Sequence, residues 1–216
     1  MNSKEKPVIV LGAGGHAKVI IDILSQRKIK ILGVATLNNS KVENYKFKNF
    51  TDEEVIANFD SEEINLVNGL GSLPNDNKRY ELSKKYLDSG YKFISIIHTS
   101  SIISKNTKIL DGAQIMAGAI IGPGTNIGEG TIVNTQSSID HDCEIKNYSH
   151  ICPGVVCSGN VRVGSFVHIS TGVSIINNIN IGDNSIIYPG VTLAKDVPKN
   201  SIVKSGVTNT RRDKLK

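Results

Sequence analysis

Two different apolar periodicities divide this chain. Up to about residue 97, short aliphatic runs alternate with stretches of helical period. Val8–Leu11 predicts a buried strand, and 15–27 a helix with Val19, Ile20, Ile23 and Leu24 on one side. Strands are expected at 29–35, 64–70 and 92–97. A further helix is expected at 77–89, with Leu82, Tyr86 and Leu87 apolar. Strand and helix in alternation imply a small parallel sheet.

From Ile103 the period becomes six. Every sixth residue from Ile103 to Leu193 is aliphatic, with Cys157 the one exception. Four residues after each comes a small or β-branched residue, from Thr107 through to Val197. Such a repeat is the mark of a parallel β-helix. Each hexapeptide makes one short face, three faces make a coil, and the first position of each points inward. Gly122, Gly128, Gly164 and Gly182 follow that position at turns. The fold class expected is an α/β Rossmann-like domain over 1–97, then an all-β β-helix over 98–216 with a basic C-terminal tail.

Gly12-Ala13-Gly14-Gly15-His16-Ala17 follows the first strand and opens the first helix. It fits the G-x-G-x-x-G/A turn, in which bare backbone and a helix N-terminus cradle a phosphate. An NAD site also wants an acid at the end of the second strand, for the ribose. Here Val34-Ala35-Thr36-Leu37-Asn38-Asn39-Ser40 carries none before Glu43. The turn is therefore expected to hold a different nucleotide.

Composition narrows the partners. The chain has 216 residues and a net charge of +5, but its Lys and Arg are dispersed and it has no Trp. That disfavours a stacking platform for nucleic acid and suits small phosphorylated ligands. No apolar run approaches the ~20 residues of a membrane span. The polar start Met1–Lys6 and three sparse cysteines, Cys143, Cys152 and Cys157, without a CxxC pair, lead us to expect reduced thiols and a cytoplasmic location.

Three stretches carry a family resemblance: Gly12-Ala13-Gly14-Gly15-His16, "IIHTSSIIS" from Ile96, and "VNTQSSIDHDCEIKNYSHICPGVVCSGNVRVG" from Val133. In these the chain resembles the bacterial sugar acetyltransferases, which act on sialic acids or nucleotide-linked 4-amino sugars and join a Rossmann-like domain to a left-handed β-helix. The resemblance supplies the hand of the helix. It implies acetyl-CoA as co-substrate, a nucleotide sugar (UDP-sugar favoured) as acceptor, a homotrimer with interfacial sites, and no metal. It places the nucleotide at Gly14, Gly15, His16 and Gly71. It makes His141 the general base, Asp142 its modulating acid, and His150 the histidine that bonds the thioester carbonyl. Coenzyme contacts fall at Thr171 and Pro189. The tail departs from the family, with Gly206-Val207-Thr208-Asn209 where Gly-x-Pro-Ala is common.

The residues themselves agree with part of this. His141 takes the third position of its hexapeptide, which points outward, between Asp140 and Asp142. A neutral imidazole beside a carboxylate can take the proton an attacking ammonium must lose. His150 lies half a coil later, on the opposite flank of the prism, so the two histidines meet only across a subunit boundary. His168 stacks one coil above His150, and Pro153, Thr171 and Pro189 share one column. His98, at the junction of the two periods, is expected to be structural. The function expected is transfer of acetyl to the amine of a nucleotide-linked 4-amino sugar. Alternatives are O-acetylation of a sialic-acid-like sugar and a non-catalytic nucleotide-sugar-binding trimer. A γ-type carbonic anhydrase needs three histidines converging on zinc at spacings this chain does not have.

Overall fold

The computed structural model describes residues 6–36 and 46–204. Leu37 to Ser40 and Glu43, where the missing acid disfavours NAD, and Gly206 to Asn209 of the tail lie outside the described residues. The chain divides into two compact units. One comprises Met1–Ser72 and Asp76–Thr99, the other Leu73–Asn75 and Ser100–Lys216.

The first unit is α/β. Its strands are β1 (Val8–Leu11), β2 (Ile31–Ala35), β3 (Lys48–Phe50) and β4 (Asn65–Asn68), followed by the short β5 (Ile96–Ile97). The first four form a parallel sheet in the order β3-β2-β1-β4. Its helices are α1 (Gly15–Gln26), α2 (Asp52–Asn58) and α3 (Lys78–Asp88). β3 and α2 are not visible in the apolar pattern, yet α2 announces itself at Thr51-x-x-Glu54. Thr51 Oγ1 accepts from Glu54 N at 3.2 Å while Glu54 Oε2 accepts from Thr51 N at 2.8 Å, a reciprocal capping box. Two predicted faces need correction. Val19 is exposed and Ile21 takes its place inside, and Leu87 is exposed while Arg79 and Ser83 are buried. The strand at 92–97 shrinks to Ile96–Ile97 and a bridge between Leu66 and Phe93.

The second unit is a triangular prism of two-residue strands. One sheet carries β6 (Ile102–Ile103), β9 (Ile120–Ile121), β12 (Ser138–Ile139), β15 (Val156–Cys157), β18 (Ser174–Ile175) and β21 (Thr192–Leu193). The next carries β7 (Lys108–Ile109), β10 (Asn126–Ile127), β13 (Glu144–Ile145), β16 (Arg162–Val163) and β19 (Asn180–Ile181). The third carries β8 (Gln114–Ile115), β11 (Ile132–Val133), β14 (His150–Ile151), β17 (His168–Ile169), β20 (Ile186–Ile187) and β22 (Ile202–Val203). All pairings are parallel, one coil apart, as in Ile127 with Ile145 and Ile151 with Ile169. The fold is the left-handed hexapeptide β-helix.

Its core follows the repeat. From Ile115 to Leu193 every first-position side chain is buried, and so is every fourth residue after it. Each buried aliphatic contributes about 1.5–3 kcal/mol relative to exposure. The register ends at Leu193: Val197 pairs with Ile181, and Val203 with Ile187, so the last coil is two residues short. Val197, although four residues after Leu193, thus takes a first position in the shortened coil.

The corners obey a rule the apolar pattern hides. Every sixth residue from Gly112 to Gly190 has a positive φ. Half of these are glycine. The rest are Gln136, Asp142, Tyr148, Asn160, Phe166, Asn178 and Asn184. A non-glycine residue there costs roughly 1–2 kcal/mol, least for Asn and Asp.

Candidate active site

His141 sits at the corner between β12 and β13, and Asp142 is the left-handed residue of that corner, with φ 57°. The turn is fixed from several sides. Asp142 N donates to Pro123 O at 2.9 Å, Asn160 N donates to His141 O at 2.9 Å, and Asp140 Oδ1 accepts from His141 N at 2.8 Å. Asp142 Oδ2 accepts from His141 Nδ1 at 2.9 Å. This holds the ring proton on Nδ1 and leaves the Nε2 lone pair free for a substrate proton. Both side chains are more than half exposed. The Asp142 hydrogen bond, aided by the charges of Asp140 and Asp142, raises the imidazole above its usual range.

Glycines in the neighbouring coils make room for this pair. A Cβ at Gly159 would lie 2.5 Å from both Cε1 and Nε2 of His141. A Cβ at Gly124 would lie 2.5 Å from Asp142 Oδ1. Gly122 admits the backbone itself: a Cβ there would be 2.8 Å from His141 N. Sequence reasoning passed over Gly124 and Gly159, although adding or subtracting 18 residues from 142 and 141 finds them.

His150 projects from β14 in the third sheet, across the prism from the His141 corner, and is buried. Asn134 Nδ2 lies 3.1 Å from its Nε2. Asn134 Oδ1 accepts from Thr135 N at 2.8 Å and from Thr135 Oγ1 at 3.2 Å, which orients the amide with its NH₂ toward the ring. The His150 proton therefore sits on Nδ1. Asn134 is a third residue that sequence reasoning missed. His168 is the register partner of His150, with ring centroids 5.1 Å apart and edge to face. All three cysteines are free and buried. Burial pushes the Cys152 thiol up to about 12 and lowers His168.

Pro153, Thr171 and Pro189 do form one column. Gly172 N donates to Pro153 O at 3.1 Å, and Gly190 N to Thr171 O at 3.0 Å. Beside them stand Gly154, Gly172 and Gly190, each with positive φ, and a Cβ on any of the three would meet nothing within 4 Å. The corner is a strip of bare backbone facing open space. A separate groove of about 600 Å³ on the second sheet, lined by Lys146, Arg162, Asp183 and Lys199 among others, includes none of the histidines.

In the first unit, β1 and β4 are neighbours, and their C-terminal ends carry the two glycine segments. This is where strand order reverses, the place open α/β sheets bind ligands. Gly12 has φ 99°, and its Cβ would strike Leu70 Cδ2 at 2.9 Å. Gly14 and Gly15 differ: a Cβ on either would meet nothing within 4 Å. α1 starts from Gly14 with no side-chain cap and no acid in its first turn, so its N-terminal N–H groups favour an anion. His16 and Gly71 come together, a Cβ at Gly71 lying 3.7 Å from His16 Cβ. Asn68, buried at the end of β4, braces that loop: Oδ1 accepts from Leu70 N at 2.9 Å, and Nδ2 donates to Arg79 O at 2.8 Å.

A glycine-turn α/β domain followed by a hexapeptide β-helix with a paired histidine at a corner defines a class of transferase. Residues 7–86 match the PglD N-terminal domain, and residues 100–135 match the bacterial transferase hexapeptide (six repeats). The chain is thus similar, over these two segments, to the proteins that carry a PglD N-terminal domain and bacterial transferase hexapeptide repeats. Solved structures agree. A histidine-to-asparagine mutant of perosamine N-acetyltransferase from Caulobacter crescentus, in complex with CoA and GDP-perosamine, is 25% identical, with 91% of this chain and 92% of that one covered and a TM-score of 0.82. The acetyltransferase domain of PglB from Neisseria gonorrhoeae, in complex with acetyl coenzyme A, is 25% identical, with coverage of 92% and 95% and a TM-score of 0.81. WeeI from Acinetobacter baumannii shares the fold at 20% identity and a TM-score of 0.76, with coverage of 95% and 98%. No helix among the described residues is long and apolar enough to cross a membrane.

Proposed function

We propose that this chain transfers acetyl from acetyl-CoA to the amine of a nucleotide-linked 4-amino sugar, with His141 as general base. The observation that carries the reading is the His141–Asp142 pair, hydrogen-bonded at 2.9 Å on an exposed corner that Gly159 keeps clear. It is supported by the sugar N-acetyltransferases to which the chain is similar, solved with CoA or acetyl coenzyme A.

The steps follow from which atoms hold protons. The sugar ammonium gives a proton to His141 Nε2, and Asp142 stabilises the imidazolium that forms. The freed amine attacks the thioester carbonyl carbon. His150, with its proton on Nδ1, donates to the carbonyl oxygen as negative charge develops there. The tetrahedral intermediate then expels the coenzyme thiolate, which recovers the proton from His141, while the former amine nitrogen releases its remaining extra proton to solvent and becomes the neutral amide. The pantetheine arm lies along the column of Pro153, Thr171 and Pro189, where bare glycine backbone offers N–H and C=O groups. The nucleotide diphosphate is held by Gly14 and Gly15 at the α1 N-terminus, with His16 and Gly71 beside it. We favour UDP as the nucleotide.

His141 and His150 lie on opposite sides of one prism, so we infer a homotrimer in which one protomer's His141 works with its neighbour's His150. Two experiments test these readings. Incubation with acetyl-CoA and a panel of UDP-, GDP-, dTDP- and CMP-linked amino sugars, read by mass spectrometry, should give one N-acetylated product. Products only from CMP-sialic acids, acetylated at oxygen, would replace the amine reading. Mixing inactive His141→Ala and His150→Ala chains should restore activity. Mixed trimers without rescue would put each site within one chain.

A further inference from the structure

Two side chains next to His150 are not used in the proposed acetyl transfer. Cys152 lies two residues along the strand direction, on the same outward side of the sheet. His168 lies one coil away, in register with His150. Cys152 Sγ is 3.4 Å from His168 Nε2. One ligand atom from each of His150, Cys152 and His168 lies within 4.8 Å of the other two. His168 Nδ1 is buried with no hydrogen-bond partner among the described residues.

We propose that His150, Cys152 and His168 form a binding site for a thiophilic divalent cation of the zinc class, and that its occupancy blocks acetyl transfer by engaging His150. The donor set is two imidazoles and one thiolate, which a tetrahedral zinc ion prefers. Bonds of about 2.0–2.3 Å to such an ion set its ligands about 3.3–3.8 Å apart. No ligand pair is more than 4.8 Å apart, so closing by up to about an ångström through side-chain rotation reaches this. On binding, the Cys152 thiol releases its proton to solvent, and the two neutral imidazoles give lone pairs. Three protein ligands leave a fourth position for water, on the half-buried His168 side. The acetyl transfer itself needs no metal: the cation would be a brake. The inhibitory half rests on the proposed role of His150, while the binding half does not.

The test uses Co²⁺ as the probe on the chelator-stripped full chain. One Co²⁺ should bind per chain, with a thiolate-to-cobalt charge-transfer band in the near ultraviolet and tetrahedral d–d bands. Cys152→Ser should lose the charge-transfer band. His168→Gln, which leaves every cysteine in place, should weaken binding about tenfold or more, on the scale seen for ligand support at metal sites. The absence of a charge-transfer band in the parent chain, its persistence in Cys152→Ser, or unchanged affinity in His168→Gln would overturn the site. In the activity arm, Zn²⁺ should inhibit the parent enzyme and not His168→Gln. Stoichiometric cobalt binding through Cys152 without Zn²⁺ inhibition would keep the site and reject the brake.

Discussion

The His141 imidazole occupies the space that a side chain at residue 159, one coil further on, would fill. A Cβ there would sit 2.5 Å from Cε1 and from Nε2. Gly159 has no positive φ, so its backbone accepts alanine. The crowded atoms belong to a half-exposed ring that can swing away. Gly159→Ala should therefore cost little stability and lower turnover by about 10–100-fold, the consequence of displacing a positioned base. A thermal melt alongside kcat checks both halves. In Gly122→Ala the clash is with the backbone at Asp140 and His141, 2.8 Å away, and there stability itself should fall.

His141 must be neutral to accept a proton, so activity should rise with pH through its pKa. Asp142 raises that pKa through its hydrogen bond. Asp142→Asn removes the anion, lowers the pKa, and should move the acid limb of the pH–rate profile to lower pH. Asparagine is the right replacement because residue 142 has φ 57°, which Asn tolerates and Ala does not. His141→Ala should lower kcat by ~10²–10⁴-fold with substrate affinity nearly unchanged. An acid limb unmoved in Asp142→Asn would mean that another group titrates.

Gly15 faces open space at the start of α1. A Cβ at residue 15 meets nothing within 4 Å, and valine suits a helix better than glycine, so Gly15→Val should keep the fold's stability. The new side chain would fill the space of the bound phosphates. Calorimetric titration should find nucleotide-sugar binding lost or weakened at least ~10-fold, with acetyl-CoA binding intact. NAD should bind neither protein.

Asp52 ties α2 to α3. Its Oδ1 accepts from the Tyr86 hydroxyl at 2.9 Å and its Oδ2 from Lys85 Nζ at 2.8 Å, and Asp52 is only 5% exposed. Burial and the Asp52 carboxylate hold the Tyr86 phenol far above its usual range, so it remains a donor at any physiological pH. Asp52→Ala leaves that hydroxyl buried and unpaired, at a cost of about 1–3 kcal/mol. Chemical denaturation followed by tyrosine fluorescence should register the loss in the first unit.

The period of six fixes which side chains fill the prism before any coordinate is known, because a parallel β-helix repeats one environment per hexapeptide. The glycine turn was legible for a similar reason: bare backbone and a helix start are local features. His141 with Asp140 and Asp142 was legible as adjacent polar residues at an outward position. Local pattern failed where neighbours decide. Val19 and Ile21 differ in burial only because of what α1 packs against, and α2 is too short for its apolar period to stand out. The two-residue shortening after Leu193 is invisible until Val197 pairs with Ile181. Tertiary structure alone decided that Gly159 clears the His141 ring, that Asn134 sets the His150 tautomer, and that Cys152 joins His150 and His168, whose stacking the 18-residue spacing already implied. Those pairs are 16 or 18 residues apart, or, for Cys152 and His150, two residues apart on one outward side. Only the stacking of coils, which turns distance along the chain into contact, brings their atoms within bonding reach.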